Sequence, residues 1–451
     1  MNLFLPEDIK MRTALTVALL WAGPVATVTA QNVNGLPSLR EQAAIRQVWL
    51  QERLEDVLPR LMRENRVDMW IVQMSEYNED PVFRALVSPT RFAARRRSIF
   101  VFYDRGPEEG VERLALGGGD QGGVYQSVRD PEDDSRELYL DVQWRVLRQI
   151  VEERKPETIA INVSHTHAFS DGLASGEREL LERALGPKWT ARFVPAELLP
   201  LHYLAIRVPS MRPYYKRMME IVHDLIATAF SSEVIVPGKT TNTDVLWWLR
   251  QQVHDRAMDS WFQPSVSVQR RGAALEGEVV IERGDVLHTD FGIFATGLAT
   301  DTQHMGYVLR EGEDEAPEGL KKALLNANRL QDIVMTQMKP GLTGNQVLAN
   351  ALAQMHSEGI QGRIYNHPIG DHGHGAGPLV GLYDRQEGVP GRGEVRLIPN
   401  TWFSIELYAV TPVPEWDNQE VRISLEEDAA MTADGQMEWI LRRQESFHLV
   451  R

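Results

Sequence analysis

Two aspartates set inside apolar, strand-patterned sequence place the tightest constraint on this chain. The stretch Gly284 to Leu309 reads GDVLHTDFGIFATGLATDTQHMGYVL. It divides into two β-runs, Asp285 to Ile293 and Leu298 to Leu309, around a tight turn at Ala295-Thr296-Gly297. Asp290 lies inside the first run and Asp301 inside the second. Aspartate is unfavourable in a strand interior, and a carboxylate among apolar neighbours must be solvated, hydrogen-bonded or bound to a cation. The hairpin alone leaves turn-type hydrogen bonding and a shared cation site both open, and further ligands downstream decide between them.

Such groups follow in order. His367 to Gly377 reads HPIGDHGHGAG, Glu406 lies in WFSIELYAV, and Glu426 lies in VRISLEEDAAMTADG. An ordered Asp, Asp, His, Glu, Glu set offers mostly hard oxygen ligands with one imidazole, which suits a pair of divalent cations held by bridging carboxylates.

This set resembles the pita-bread metallopeptidases, which include methionine aminopeptidase, prolidase, aminopeptidase P and their metal-free relative creatinase. The resemblance spans residues 210–451 and extends more loosely before them. It implies an α/β (α+β) chain whose C-terminal pita-bread (creatinase/aminopeptidase) domain follows a smaller, creatinase-like α/β domain. The implied metal ligands are Asp290, Asp301, His374, Glu406 and Glu426. In that scheme Asp301 and Glu426 bridge two metals, Asp290 chelates one, and His374 and Glu406 complete the other.

His374 is taken from the match of Gly373-His374-Gly375-Ala376-Gly377 to the family's Gly-His-Gly-x-Gly. His372 satisfies a shorter His-x-x-Gly form, and on a strand it would share a side with His374. A shifted register makes His367 the ligand and places His374 seven residues on, where the family carries a second histidine. All three histidines stay open on sequence alone.

Other departures bear on activity. Leu407 follows Glu406 where the family carries proline, and two extra residues separate Arg422-Ile423 from Glu426. The family's histidine upstream of the first aspartate is missing from PSVSVQRRGAALEGEVV. His288 is offered in its place, two residues before Asp290 and on the same strand face. His288, His372 and Arg422 are candidate substrate contacts, and Glu406 the candidate proton shuttle. Arg270 and Arg271 read as surface residues.

The function implied is a metal-dependent exopeptidase that hydrolyses Xaa-Pro peptide bonds through a dinuclear centre and bridging water. Manganese is the first choice of ion, with zinc, cobalt or iron permitted. The resemblance also implies a homodimer. Two alternatives stand beside it: a creatinase-like C–N hydrolase, and a protein that binds on the same fold without turnover.

The chain has 451 residues, 43% apolar and 25% charged, enough for two domains. Its formal charge of −15 and lack of a long basic run argue against a polyanion partner, and no nucleic acid is expected. It contains no cysteine, so thiol catalysis, cysteine-ligated metal and disulfides are excluded.

Residues 1–30 read as a signal peptide. Lys10 and Arg12 precede an apolar run, Thr13 to Val28, that ends in Val28-Thr29-Ala30. The expected setting is therefore exported, periplasmic or secreted, without stable membrane insertion after cleavage. Residues 38–205 form the expected N-terminal α/β domain. A helical pattern from Ser38 to Asn65 leads into strands at Asp68 to Met74, Ser98 to Tyr103, Val111 to Leu116 and Thr158 to Asn162. Helices at Asp141 to Glu153 and Glu177 to Leu185 and a strand at Trp189 to Val194 complete it. His165 and His167 read as surface or interdomain residues. Leu198 to Pro213 reads as a linker. The expected catalytic domain, 206–451, adds helices at Tyr214 to Phe230, from a Thr241 or Asn242 cap, at Glu318 to Met338, and at Gly344 to Glu358.

Overall fold

The computed structural model describes residues 35–129 and 141–451, so the expected signal segment lies outside the described residues. The chain builds two mixed α/β units, each around its own sheet.

The first sheet has six strands. In spatial order they are Gln126–Ser127, Val111–Leu116, Arg97–Asp104, Met69–Ser75, Ile159–Ile161 and Phe193–Pro195. Met69–Ser75 is antiparallel to Arg97–Asp104 and parallel to Ile159–Ile161, so a crossover helix, Asp141–Arg154, is needed between the parallel partners. The first helix among the described residues, Leu39–Glu52, starts on a capping box between Ser38 and Glu41 and runs through a π-turn at Arg53–Val57 into Leu58–Glu64.

Two expectations for this unit are corrected. Trp189 lies in a short helix, Pro187–Thr190, because Pro187 opens a helical turn immediately after Gly186; only Phe193–Pro195 is extended. The supposed linker contains a buried helix, Leu198–Ala205, in which Pro200 falls in the first turn, where its missing N–H has no helical partner to lose.

The second sheet has nine strands. Its main path runs Gln361–Ile364, Thr401–Val413, Gln419–Met431, Gln303–Val308, Val286–Asp290 and Ser265–Gln269. Helices Arg212–Ala229 and Asn242–Asp255 pack behind one half, with Val222, Leu225 and Leu249 in a core shared with Leu287 and Val308. Helices Glu318–Gln337 and Gly344–Ser357 pack behind the other half, against Ile405 and Leu407. The hairpin turn forms as expected. Leu298 pairs with Ala295, and Thr296 and Gly297 both take positive φ, as a two-residue primed turn requires. Among the described residues no helix is long and apolar enough to cross a membrane.

The units meet over the glycine-rich segment that follows His367. Arg53 and Arg207, both buried, converge on Asp371 at 2.8 and 3.2 Å, and Phe169 packs its ring 5.0 Å from that of His372. The N-terminal unit thereby fixes a loop of the second.

Candidate metal centre

Cross-strand register assembles the site. Glu406 stands directly opposite Glu426, Glu426 opposite Gln303, and Gln303 opposite Asp290, so residues from four strands form one row. Asp301 enters from the residues just before Gln303–Val308, where its N–H donates to Asp428 at 3.2 Å and its carboxylate accepts the Thr302 N–H at 3.1 Å. His367 arrives on a two-residue strand that pairs with Ser404 and Phe403, beside Glu406.

His367 Nε2 lies 3.3 Å from Glu426, 3.6 Å from Asp301 and 3.9 Å from Glu406. Ligand atoms of Asp301, His367 and Glu426, all buried, fall within 4.8 Å of one another. Ser404 donates to the Glu426 oxygen that faces His367, at 2.5 Å.

The electrostatics show what the cluster lacks. Burial, with the charges of Asp301 and Glu426, raises Asp290 well above the ordinary carboxylate range. Burial and the Glu426 charge raise Asp301 to about 7, and with Asp301 they lift Glu406 well above its usual value. Burial alone would lower His367, but Asp301 and Glu426 beside it hold it well above the usual imidazole value. Without a cation the cluster must retain protons to tolerate its own repulsion.

The residues fit a divalent ion. His367 Nδ1 lies 3.0 Å from the Pro368 carbonyl, so its N–H donates there and Nε2 is turned toward the carboxylates, the tautomer a metal-binding imidazole needs. His367 Nε2 and Asp290 Oδ1 are both buried without a hydrogen-bond partner. Four carboxylates and one imidazole are a donor set for hard or borderline cations.

A cleft of about 420 Å³ opens over this floor. His288, Tyr365, His374, Tyr383, Arg392 and Arg422 line it, with Asp290, His367 and Glu406 below. His288 Nε2 contacts Gln303 at 2.9 Å, and burial lowers its pKa to about 4, so it is neutral at pH 7. The Arg422 guanidinium stacks 3.9 Å over the Tyr408 ring and donates to the Tyr383 hydroxyl at 3.2 Å.

Of the sequence candidates, Asp290, Asp301, Glu406 and Glu426 converge, and His288 and Arg422 face the cleft. The histidine assignment is corrected. His367 stands among the carboxylates, whereas His374 sits on the rim, its ring 4.8 Å from that of His367 and 5.3 Å from that of Trp261. His372 is corrected too, since it leaves the cleft for the interdomain cavity shared with Arg53 and Asp371. The shared-face expectation fails because residues 369–377 are not extended: the Gly370 N–H donates to the His372 carbonyl in a turn. Gly373 is required there, as a Cβ would lie 2.3 Å from the Trp261 ring. Arg270 and Arg271 pair with Asp285 and Asp417, each at 2.7 Å, away from the cleft.

Gln303 was not singled out from sequence. Its amide donates to Glu406 at 2.5 Å and to Glu426 at 2.8 Å, and its oxygen faces His288. The signal available was its position two residues past Asp301, at strand period.

Residues 214–433 match the family pattern described as Metallopeptidase family M24. The second unit of this chain belongs to that pita-bread family. It is accordingly a hydrolase domain of the metallopeptidase class. No curated protein matches the sequence. Among solved structures, an X-Pro aminopeptidase from Thermotoga maritima aligns with a TM-score of 0.58 at 16% identity, covering 87% of this chain and 100% of the other. An Xaa-Pro dipeptidase from Bacillus anthracis gives 0.56 at 17%, covering 90% and 100%. The N-terminal domain of FACT complex subunit SPT16 from Cicer arietinum gives 0.52 at 12%, covering 87% and 96%. These likenesses establish the fold, N-terminal unit included.

Proposed function

We propose that this M24 protein is a metal-dependent exopeptidase that hydrolyses Xaa-Pro bonds in short peptides. The observation that carries the reading is the cleft itself, with a carboxylate and imidazole floor and Arg422 at its rim. Both peptidase structures named above are described as acting on such bonds.

Two divalent ions, manganese first among them, held by Asp290, Asp301, His367, Glu406 and Glu426 would polarise the scissile carbonyl and acidify water. The chain's own groups do the rest. Glu406, at the cleft floor beside His367, takes the proton from the attacking water and returns it to the leaving nitrogen. His374, beside His367 on the rim, offers a ring N–H to the peptide backbone, while the neutral His288 donates its N–H to the Gln303 oxygen and so holds that amide toward the glutamates. Arg422 supplies a planar fork for a terminal carboxylate. Its stacking on Tyr408 holds that fork in place before substrate arrives.

Export to the periplasm or the outside, and assembly as a homodimer, belong to the same proposal. Cell fractionation and light scattering on the purified chain test them.

The activity test is a screen of metal-stripped protein against Xaa-Pro dipeptides and tripeptides with Mn²⁺, Zn²⁺ or Co²⁺ restored. Metal-stimulated release of the residue before proline supports the reading. Metal uptake without cleavage of any of these peptides contradicts it and favours the C–N hydrolase or binding alternatives.

A further inference from the structure

A second cluster lies behind the strands that build the cleft. Glu426 and Glu427 are consecutive in an extended strand, so their side chains leave on opposite faces, and the same holds for Gln303 and His304. Glu427 and His304 meet on the reverse face, where His223 joins them from helix Arg212–Ala229. His223 Nε2 lies 2.9 Å from one Glu427 oxygen, and His304 Nε2 lies 2.6 Å from the other. All three residues are buried, and their ligand atoms fall within 4.8 Å of one another. A groove of about 600 Å³, bordered by His223, Asp224, Asp332 and His448, opens onto them.

We infer that His223, His304 and Glu427 form a second metal site, distinct from the carboxylate-rich centre, that takes one zinc-class cation and completes its coordination with solvent from the groove. Two imidazoles, one carboxylate and an open position are a donor set used for Zn²⁺. At Zn–N distances of about 2.0–2.1 Å, tetrahedral ligand atoms stand about 3.4 Å apart, so closing the present arrangement needs side-chain shifts of roughly 1 Å.

The surroundings prepare the ligands. His448 Nε2 sits 3.0 Å from His304 Nδ1, the outer hydrogen bond that fixes the orientation of a ligating imidazole. Glu427 receives one imidazole on each of its two oxygens, the arrangement of an ionised carboxylate. Each Nε2 faces a Glu427 oxygen and so carries its ring proton here, and metal binding displaces that proton. The two faces then select differently: four oxygen donors to one nitrogen in front favour Mn²⁺, and two nitrogens to one oxygen behind favour Zn²⁺. A cation here ties helix Arg212–Ala229 to the strands that carry Gln303 and Glu426.

The test uses the full chain with Glu426→Gln, which disables the front centre but leaves the rear ligands intact. After chelator treatment it is titrated with Co²⁺ and, separately, Zn²⁺. The inference expects one equivalent of Co²⁺ with the visible absorption of a four-coordinate, nitrogen-ligated site, and a Zn²⁺-dependent rise in unfolding temperature. Adding His223→Gln, which preserves a hydrogen bond to Glu427, weakens both at least a hundredfold. Adding His304→Gln instead does the same. Absence of cobalt and zinc binding in the folded Glu426→Gln chain overturns the inference, and so does equal binding with and without His223.

Discussion

Glu406 and Glu426 face one another directly across two antiparallel strands, and the side-chain amide of Gln303 donates to both. The oxygens not taken by Gln303 are the ones nearest His367, so one neutral side chain leaves the pair oriented toward a single point. Gln303→Leu is expected to lower metal affinity or turnover 10- to 100-fold without unfolding the chain, the usual cost of removing a group that orients ligands. Titration calorimetry with Mn²⁺ and peptide kinetics check it, and wild-type values in both measurements contradict it.

His367 and His374 separate by role. His367→Ala removes the imidazole nitrogen aimed at Asp301, Glu406 and Glu426 and is expected to abolish tight Mn²⁺ binding. His374→Ala is expected to keep the metal and to reduce kcat by a factor of 10² to 10⁴, the range for loss of a positioned proton donor. Metal content beside kinetics for each variant distinguishes them. The reverse ranking restores the Gly-His-Gly histidine as the ligand.

The sequence made the carboxylates legible and the histidine ambiguous, for physical reasons. Asp290, Asp301, Glu406 and Glu426 stand out because a charge in apolar sequence has few explanations, and strand period fixes the face of all but Asp301, which lies just before its strand. His367 was harder to place because glycines remove the periodicity after it. The Gly-His-Gly motif drew the assignment to a residue that the turn at Gly370 carries to the rim. Gln303 carries no charge, and its position two residues past Asp301 is a weak signal beside the carboxylates. The rear cluster joins His223 to Glu427 across 204 positions, a meeting that only the helix packing reveals. In the N-terminal unit the strands were legible from their apolar runs, while the helices at Pro187 and Leu198 were obscured by prolines that here occupy first-turn positions.

The Asp301 carboxyl is expected to cost metal-free protein stability as pH rises from about 4 to 7, read as the difference between wild type and Asp301→Asn, because His288 and His448, lowered by burial, act in the opposite direction. Asp301 is raised from 3.8 to about 7, so the folded state binds more protons than the unfolded state across that window. That contribution then falls with pH, by up to about 1.4 kcal/mol per unit for each such proton. His367, raised above its ordinary value, acts in the same direction, since its contribution is present below that value and lost on deprotonation. Saturating Mn²⁺ is expected to flatten the slope. Chemical denaturation of both chains at pH 4.5, 6 and 7.5 with and without metal measures it, and a wild-type minus Asp301→Asn difference that rises with pH contradicts the account.

Asp371→Ala is expected to destabilise the chain by about 3–5 kcal/mol, because Arg53 and Arg207 are left buried without their shared carboxylate. Urea denaturation tests this. A change under about 1 kcal/mol would show that the two arginines find other partners.

Arg422→Leu is expected to raise KM at least tenfold for Xaa-Pro dipeptides with a free carboxylate, while C-terminally amidated substrates change little. An equal effect on both classes would place Arg422 outside substrate recognition.

The most direct measurement is the Mn²⁺ stoichiometry of the metal-stripped full chain, by elemental analysis after equilibration, set beside Asp301→Asn and Glu426→Gln. The account predicts about two Mn²⁺ per wild-type chain and a loss of at least one in each folded variant. Wild-type protein that takes up no Mn²⁺, or variants that retain the full complement, would contradict the assignment of Asp290, Asp301, His367, Glu406 and Glu426 as a metal centre.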